Sequence, residues 1–294
     1  MDLKKFVEQQ NLASFPVGLG GCRTTAESFD SCDYDITVFD ETLGHDQIIL
    51  FEGRYIHLHH GTLQETKSEV LIQYDNMQII QDDSWELRML LSKVKEKRQK
   101  LYRDFAKNCL IESIFCCEKC KDGIDSSNLF AACWQKCASF YLADAICALN
   151  QKRPSPSHML EMLRKFEKTP VNQHLSVVNQ TVGIERATPT LLERMLKSTV
   201  GFSDIAENTN HSQMIQQKHD FFVKNSMLSD CYFYLGYLNK ESFIKIKKTI
   251  DKEQYLIHIL KIAFDIEVDS GLLLEQSKHV EKSCRQILEH LYQA

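Results

Sequence analysis

The feature that most narrows the fold is the stretch from Leu19 to Phe39, where two short apolar runs flank a glycine pair and a pair of acids. Phe15 to Leu19 reads as a strand and ends on Gly20-Gly21. Eleven residues separate Gly21 from Asp33-Tyr34-Asp35, which runs directly into a second strand, Ile36-Thr37-Val38-Phe39. Side chains two apart on a strand share a face, so Asp33 and Asp35 are expected side by side on one sheet surface. Adjacent like charges repel unless a cation lies between them. Hard oxygens at such positions suit a magnesium ion that carries phosphates, and a turn without Cβ atoms brings backbone N–H groups close to a phosphate.

With this pattern, Gly20-Gly21, eleven residues, then Asp33-Tyr34-Asp35-Ile36, roughly the first 85 residues resemble the nucleotidyltransferase superfamily with the DNA polymerase beta-like fold. The likeness extends to archaeal-type members that carry a helical C-terminal domain. It implies that Gly20 and Gly21 hold the triphosphate of an incoming nucleoside triphosphate. It also implies that Asp33 and Asp35 bind the metal, Mg²⁺ or Mn²⁺. Arg23 is either a further phosphate contact or a surface salt-bridge residue. The implied reaction moves a nucleoside monophosphate to an acceptor, which in such proteins is a small hydroxyl compound, an RNA end or a protein side chain.

Active members of that superfamily usually carry another acid on a later strand. The strand best placed for it is Tyr55 to His60. If Ile56 and Leu58 face the core, His57 and His59 share the opposite face, so histidines stand where the acid is expected. Two readings follow. Neutral imidazole ligates transition metals or serves as a general base, which makes His57 and His59 candidate catalytic residues. Alternatively the site binds a nucleotide without turnover, and the chain is a sensor or interaction protein. Glu52, Asp75 and Asp82 are candidate substitutes, and the pattern does not place any of them facing Asp33.

Across 294 residues, two domains are the default expectation. The 43% hydrophobic and 26% charged content is that of a globular chain. No apolar run reaches the length of a membrane span, and the charged start Met1-Asp2-Leu3-Lys4-Lys5 lacks the apolar core of a signal peptide. A cytoplasmic protein is expected, with its eleven cysteines reduced. The formal net charge of −5 argues against a broad electrostatic grip on nucleic acid.

The expected architecture is α+β: a small mixed-sheet, nucleotidyltransferase-like domain over 1–85, then a larger all-helical domain over 86–294. A short helix over Asp2–Gln10 precedes the first strand, and a brief helix is expected over Thr24–Phe29. Further strands are read at Gln47–Phe51, Tyr55–His60, Val70–Tyr74 and Met77–Gln81, with turns at Glu52-Gly53 and Asp75-Asn76. Asp83 caps a helix over Ser84–Lys121. More helices follow at Asn128–Gln151, His158–Glu167, Pro189–Thr199, Ser212–Leu238 and, with breaks, Lys252–Gln293. Two prolines at 151–157 mark a subdivision of the helical part.

Cys117-x2-Cys120 and Cys133-x3-Cys137 superficially match a structural zinc site. Their helical surroundings favour packing residues instead. The basic stretch Arg88 to Lys107 reads as the solvated face of a helix, or as a rim for a polyanionic acceptor such as tRNA. Gly183 to Pro189 reads as a helix connection, or as a polar loop within reach of a substrate. The histidines of the helical half show no ligand spacing.

Overall fold

The structure is a computed structural model that describes residues 1–42, 46–207 and 211–293. The chain is α+β and divides into two compact units, Met1–Asp104 and Phe105–Ala294.

In the first unit, α1 (Leu3–Gln9) begins on Asp2, whose carboxylate accepts from the Lys4 and Lys5 amides. Five strands follow: β1 (Val17–Leu19), β2 (Tyr34–Val38), β3 (Gln47–Phe51), β4 (Arg54–His60) and β5 (Gln78–Gln81). They form one mixed sheet in the order β3-β4-β2-β1-β5. Strands β2 and β4 are parallel; the other neighbours are antiparallel. Glu52 and Gly53 both take positive φ and close the β3–β4 hairpin, the two-residue turn that matches strand twist.

Strand parity then sorts the residues. Val17, Leu19, Ile36, Val38, Ile56 and Leu58 pack with Phe6 and Val7 of α1 in a buried cluster. Their neighbours Gly18, Asp35, Thr37, His57 and His59 are therefore left for the other face.

The structure corrects the local readings at several points. Thr24–Phe29 is not a helix; a 3₁₀ turn over Cys22–Thr24 opens an irregular loop. The Thr24 and Thr25 hydroxyls donate to the carbonyls of Gly21 and Cys22, an alternative to helical bonding. Val70–Tyr74 is not a strand: α2 (Ser68–Leu71) passes into a 3₁₀ turn over Ile72–Tyr74. A short apolar run does not distinguish strand from helix, and here packing of Leu71, Ile72 and Tyr74 decides it.

Asp82, not Asp83, caps α3 (Glu86–Glu96), accepting from the Leu87 and Arg88 amides. Trp85, at φ 66°, supplies the left-handed residue that carries the chain into the helix. The long helix predicted over Ser84–Lys121 is interrupted at Lys97, and α4 (Arg98–Asp125) begins with Arg98 and Tyr102 both bonded to Asp75. Asp104 and Phe105, where the two units divide, both lie within α4.

Among the described residues, no strand follows Gln81. The second unit contains α5 (Ala131–Leu149), α6 (Met159–Lys165), α7 (Leu175–Val182), α8 (Pro189–Glu207), α9 (Ser212–Lys224), α10 (Leu228–Lys245), α11 (Ile257–Ala263) and α12 (Ser270–Gln293). Helix α5 is buried on nearly every side and packs against α6, α7, α10 and α12, as expected of a helix without a polar stripe. Sequence periodicity missed α7. It also ran α9 into α10, which Ser226 separates at φ 58°. Among the described residues, no helix is long and apolar enough to cross a membrane.

The helical cysteines are buried. Burial pushes the thiols of Cys116, Cys137 and Cys147 well above their ordinary pKa, so they remain neutral.

Candidate functional site

On the face of the sheet opposite α1, the parallel register sets Asp35 beside His57 and Thr37 beside His59. Across β3–β4, Gln47 pairs with Leu58 and Ile48 with His57. Continuing that register by one residue puts Asp46 opposite His59. Four titratable side chains from three consecutive strands thus meet on one surface.

Each imidazole lies between two carboxylates. His57 Nδ1 is 3.9 Å from Asp35 Oδ1, and its Nε2 is 3.6 Å from Asp46 Oδ2. His59 has the reverse orientation, with Nε2 3.7 Å from Asp35 Oδ1 and Nδ1 3.0 Å from Asp46 Oδ2. The two rings lie 3.9 Å apart at their centroids. Asp35, His57 and His59 each offer a ligand atom within 4.8 Å of the others.

Charge follows from this arrangement. Burial opposes protonation of His59, but its contacts with Asp35 and Asp46 outweigh that and lift its pKa to about 9. Burial likewise opposes the Asp46 charge, yet the two histidines hold its carboxyl far below the usual range. Near neutral pH a proton on His59 balances the surrounding acids.

The glycine turn reaches this cluster from β1. Gly20 N–H donates to Asp35 O at 2.8 Å, extending the β1–β2 ladder by one bond. Gly21 turns away at φ 71° and ψ −169°, a conformation essentially reserved for glycine. A Cβ on Gly21 would overlap Asp35 Oδ2, whereas one on Gly20 would meet only ordinary contacts near 3.7 Å. Gly21 therefore presses on one oxygen of Asp35 while the other faces the histidines.

The remaining predicted residues lie apart from this cluster of ligand atoms. Asp33 is buried immediately before β2 and is outside the group of three. The Arg23 guanidinium donates to the carbonyls of Asp30 and Cys32 and stacks over Tyr34 at 4.8 Å, so it fixes the loop between the glycine turn and β2. Of the acids weighed as substitutes, Glu52 pairs with Lys5, Asp75 with Arg98, and Asp82 caps α3. Sequence reasoning missed Asp46. Its signal was register: it is the acid one residue before a strand whose hairpin partner carries the histidines.

No protein-family model matches the chain, and no curated protein matches it.

Proposed function

We propose that the first unit binds a nucleoside triphosphate with a divalent ion and transfers its nucleoside monophosphate to an acceptor. The observation that carries this reading is the packing of the Gly21 turn against the Asp35 carboxylate, on a strand face shared with His57 and His59. The resemblance carried by Gly20-Gly21 and Asp33-Tyr34-Asp35 supports the same reading.

A carboxylate oxygen and two imidazoles converge within 4.8 Å, a donor set that fits a divalent ion and, through its two nitrogens, suits Mn²⁺ better than Mg²⁺. Asp35, His57 and His59 would hold the ion, with Asp33 beside them in the chain. When bound, such an ion supplies charge stabilisation to the oxygens of a phosphoryl group in displacement. The chain's own share is positional. Gly20 commits its amide to the ladder, so backbone donors for a phosphate begin at Gly21. His57 and His59 sit where a proton is taken from an attacking hydroxyl or an ion is held.

The test is transfer of label from radiolabelled nucleoside triphosphates, with Mg²⁺ or Mn²⁺ and cell extract as the acceptor source. The native chain should label a discrete acceptor, and Asp35→Asn should abolish labelling. Nucleotide binding without transfer under any of these conditions would replace the enzyme with a nucleotide sensor.

A further inference from the structure

The two sides of the histidine pair differ in a way that identifies what the pair is for. Toward Asp46, His59 is at hydrogen-bond distance, 3.0 Å, and the buried His57 Nε2 is 3.6 Å away. Toward Asp35, both nitrogens stand 3.7–3.9 Å from a single oxygen, Oδ1. Those separations, like the 3.6 Å from His57 Nε2 to Asp46, are too long for a good hydrogen bond, so of these four contacts His59 Nδ1–Asp46 alone is within reach. Two ligands bonded to one ion at about 2.0 to 2.2 Å lie roughly 3 to 3.5 Å apart, so a coordination triangle needs the two gaps to Asp35 to close by a few tenths of an ångström and the two nitrogens, within 4.8 Å of one another, to draw in with them.

We propose that Asp35 Oδ1, His57 Nδ1 and His59 Nε2 form a resident transition-metal centre, with Asp46 as the positioning carboxylate for both imidazoles. Asp46 accepts the N–H of His59 Nδ1 at 3.0 Å and would accept that of His57 Nε2, now 3.6 Å away, once the rings draw in around an ion, which leaves the near nitrogen of each ring to donate its lone pair. A carboxylate behind a metal-bound histidine fixes ring orientation and tautomer and raises the basicity of the ligand. Here one carboxylate serves two rings because the β4 pleat stacks them and the β3 register brings Asp46 across from them.

Two histidines and one carboxylate on one side of an ion leave its other positions open, the pattern of a facial triad. Two nitrogens out of three ligands disfavour Mg²⁺, which prefers oxygen, and favour Mn²⁺, Fe²⁺ or Zn²⁺. The strand face is that of the function proposed above, which this inference deepens. The ion is nevertheless held by the protein alone, without a nucleotide to carry it. The open positions would accept oxygens of a phosphate or of an attacking hydroxyl.

The test uses the full chain stripped of metal and titrated with Mn²⁺ in the absence of nucleotide. Mn²⁺ prefers oxygen and nitrogen ligands, which keeps it off the cysteines. One equivalent should bind by calorimetry and resist displacement by excess Mg²⁺. Electron paramagnetic resonance of the native complex should show coupling to two imidazole nitrogens. His57→Ala and His59→Ala should each remove tight binding, and Asp46→Asn should weaken it by about 10–100-fold while keeping one equivalent. Nitrogen coupling in the native chain decides the matter even if a variant fails to fold. Equal competition by Mg²⁺, or a bound Mn²⁺ without nitrogen coupling, overturns the centre. Unchanged affinity in Asp46→Asn overturns the role of Asp46. Tight Mn²⁺ binding together with no nucleotidyl transfer leaves this inference standing and removes the proposed reaction.

Discussion

Gly21 stands directly against the carboxylate of Asp35, with no room for a Cβ between them. The two glycines of the turn are consequently not equivalent. Gly21→Ala forces both a strained backbone, at about 1–3 kcal/mol, and displacement of Asp35 Oδ2, the oxygen next to the one that faces the histidines. Gly20→Ala meets only contacts of 3.7–3.8 Å. Mn²⁺ titration and thermal melts of both variants should show loss of ion affinity and a lowered Tm for Gly21→Ala, with Gly20→Ala near native. Equal effects would mean that the Gly21 contact is not what shapes the site.

Lys136 is buried in the second unit, its ammonium donating to the carbonyl of Val182 at the end of α7. Burial pushes its pKa down to about 8, with Asp265 offsetting part of that cost. The unfolded chain thus holds a proton that the folded chain has lost between pH 8 and about 10.4. In that window the Lys136 contribution to stability rises with pH. Denaturant melts of native chain and Lys136→Met should diverge in favour of the native chain as pH climbs through it. A pH-independent difference would show that Lys136 titrates normally.

The buried thiols work in the opposite sense. Burial lifts Cys133 and Cys117 above the range in which they ionise, as it does Cys116, Cys137 and Cys147. Their neutral form contributes stability that is full below the unfolded value, about 8.5, and is lost as pH rises above it. Each adds a slope of up to about 1.4 kcal/mol per pH unit. In the folded protein these five thiols should resist thiol reagents at neutral pH, and global stability should fall steeply above about pH 9. A flat profile to pH 10 would contradict the burial of these groups.

Lys240 and Asp144 form an ion pair inside the helical unit at 3.0 Å, with Tyr237 O–H donating to the other Asp144 oxygen at 2.7 Å. Burial works against the Lys240 charge, but Asp144 and the tyrosine rings around it hold it protonated. Removing one partner strands a buried charge. Lys240→Met and Asp144→Asn should each cost about 3–5 kcal/mol, and the double variant should cost clearly less than their sum. Additive losses in denaturant melts would show that the pair is not coupled.

The sequence by itself determined the parts of this protein that depend on local pattern. Alternation in β2 and β4 separated Ile36, Ile56 and Leu58 from Asp35, His57 and His59, because a pleat allows a side chain only two faces. Glu52-Gly53 announced its hairpin, and apolar periodicity announced the helical half. Where alternatives were local and nearly equal, as at Val70–Tyr74 or Thr24–Phe29, pattern failed and packing or hydroxyl–carbonyl bonds chose. Pattern equally could not see that Arg23 is occupied by the carbonyls of Asp30 and Cys32. The fourth member of the site was decided only by tertiary structure. Asp46 is adjacent to no motif, and it meets His57 and His59 only because the hairpin register sets β3 against β4. Register is a relation between strands, and no single strand's sequence contains it.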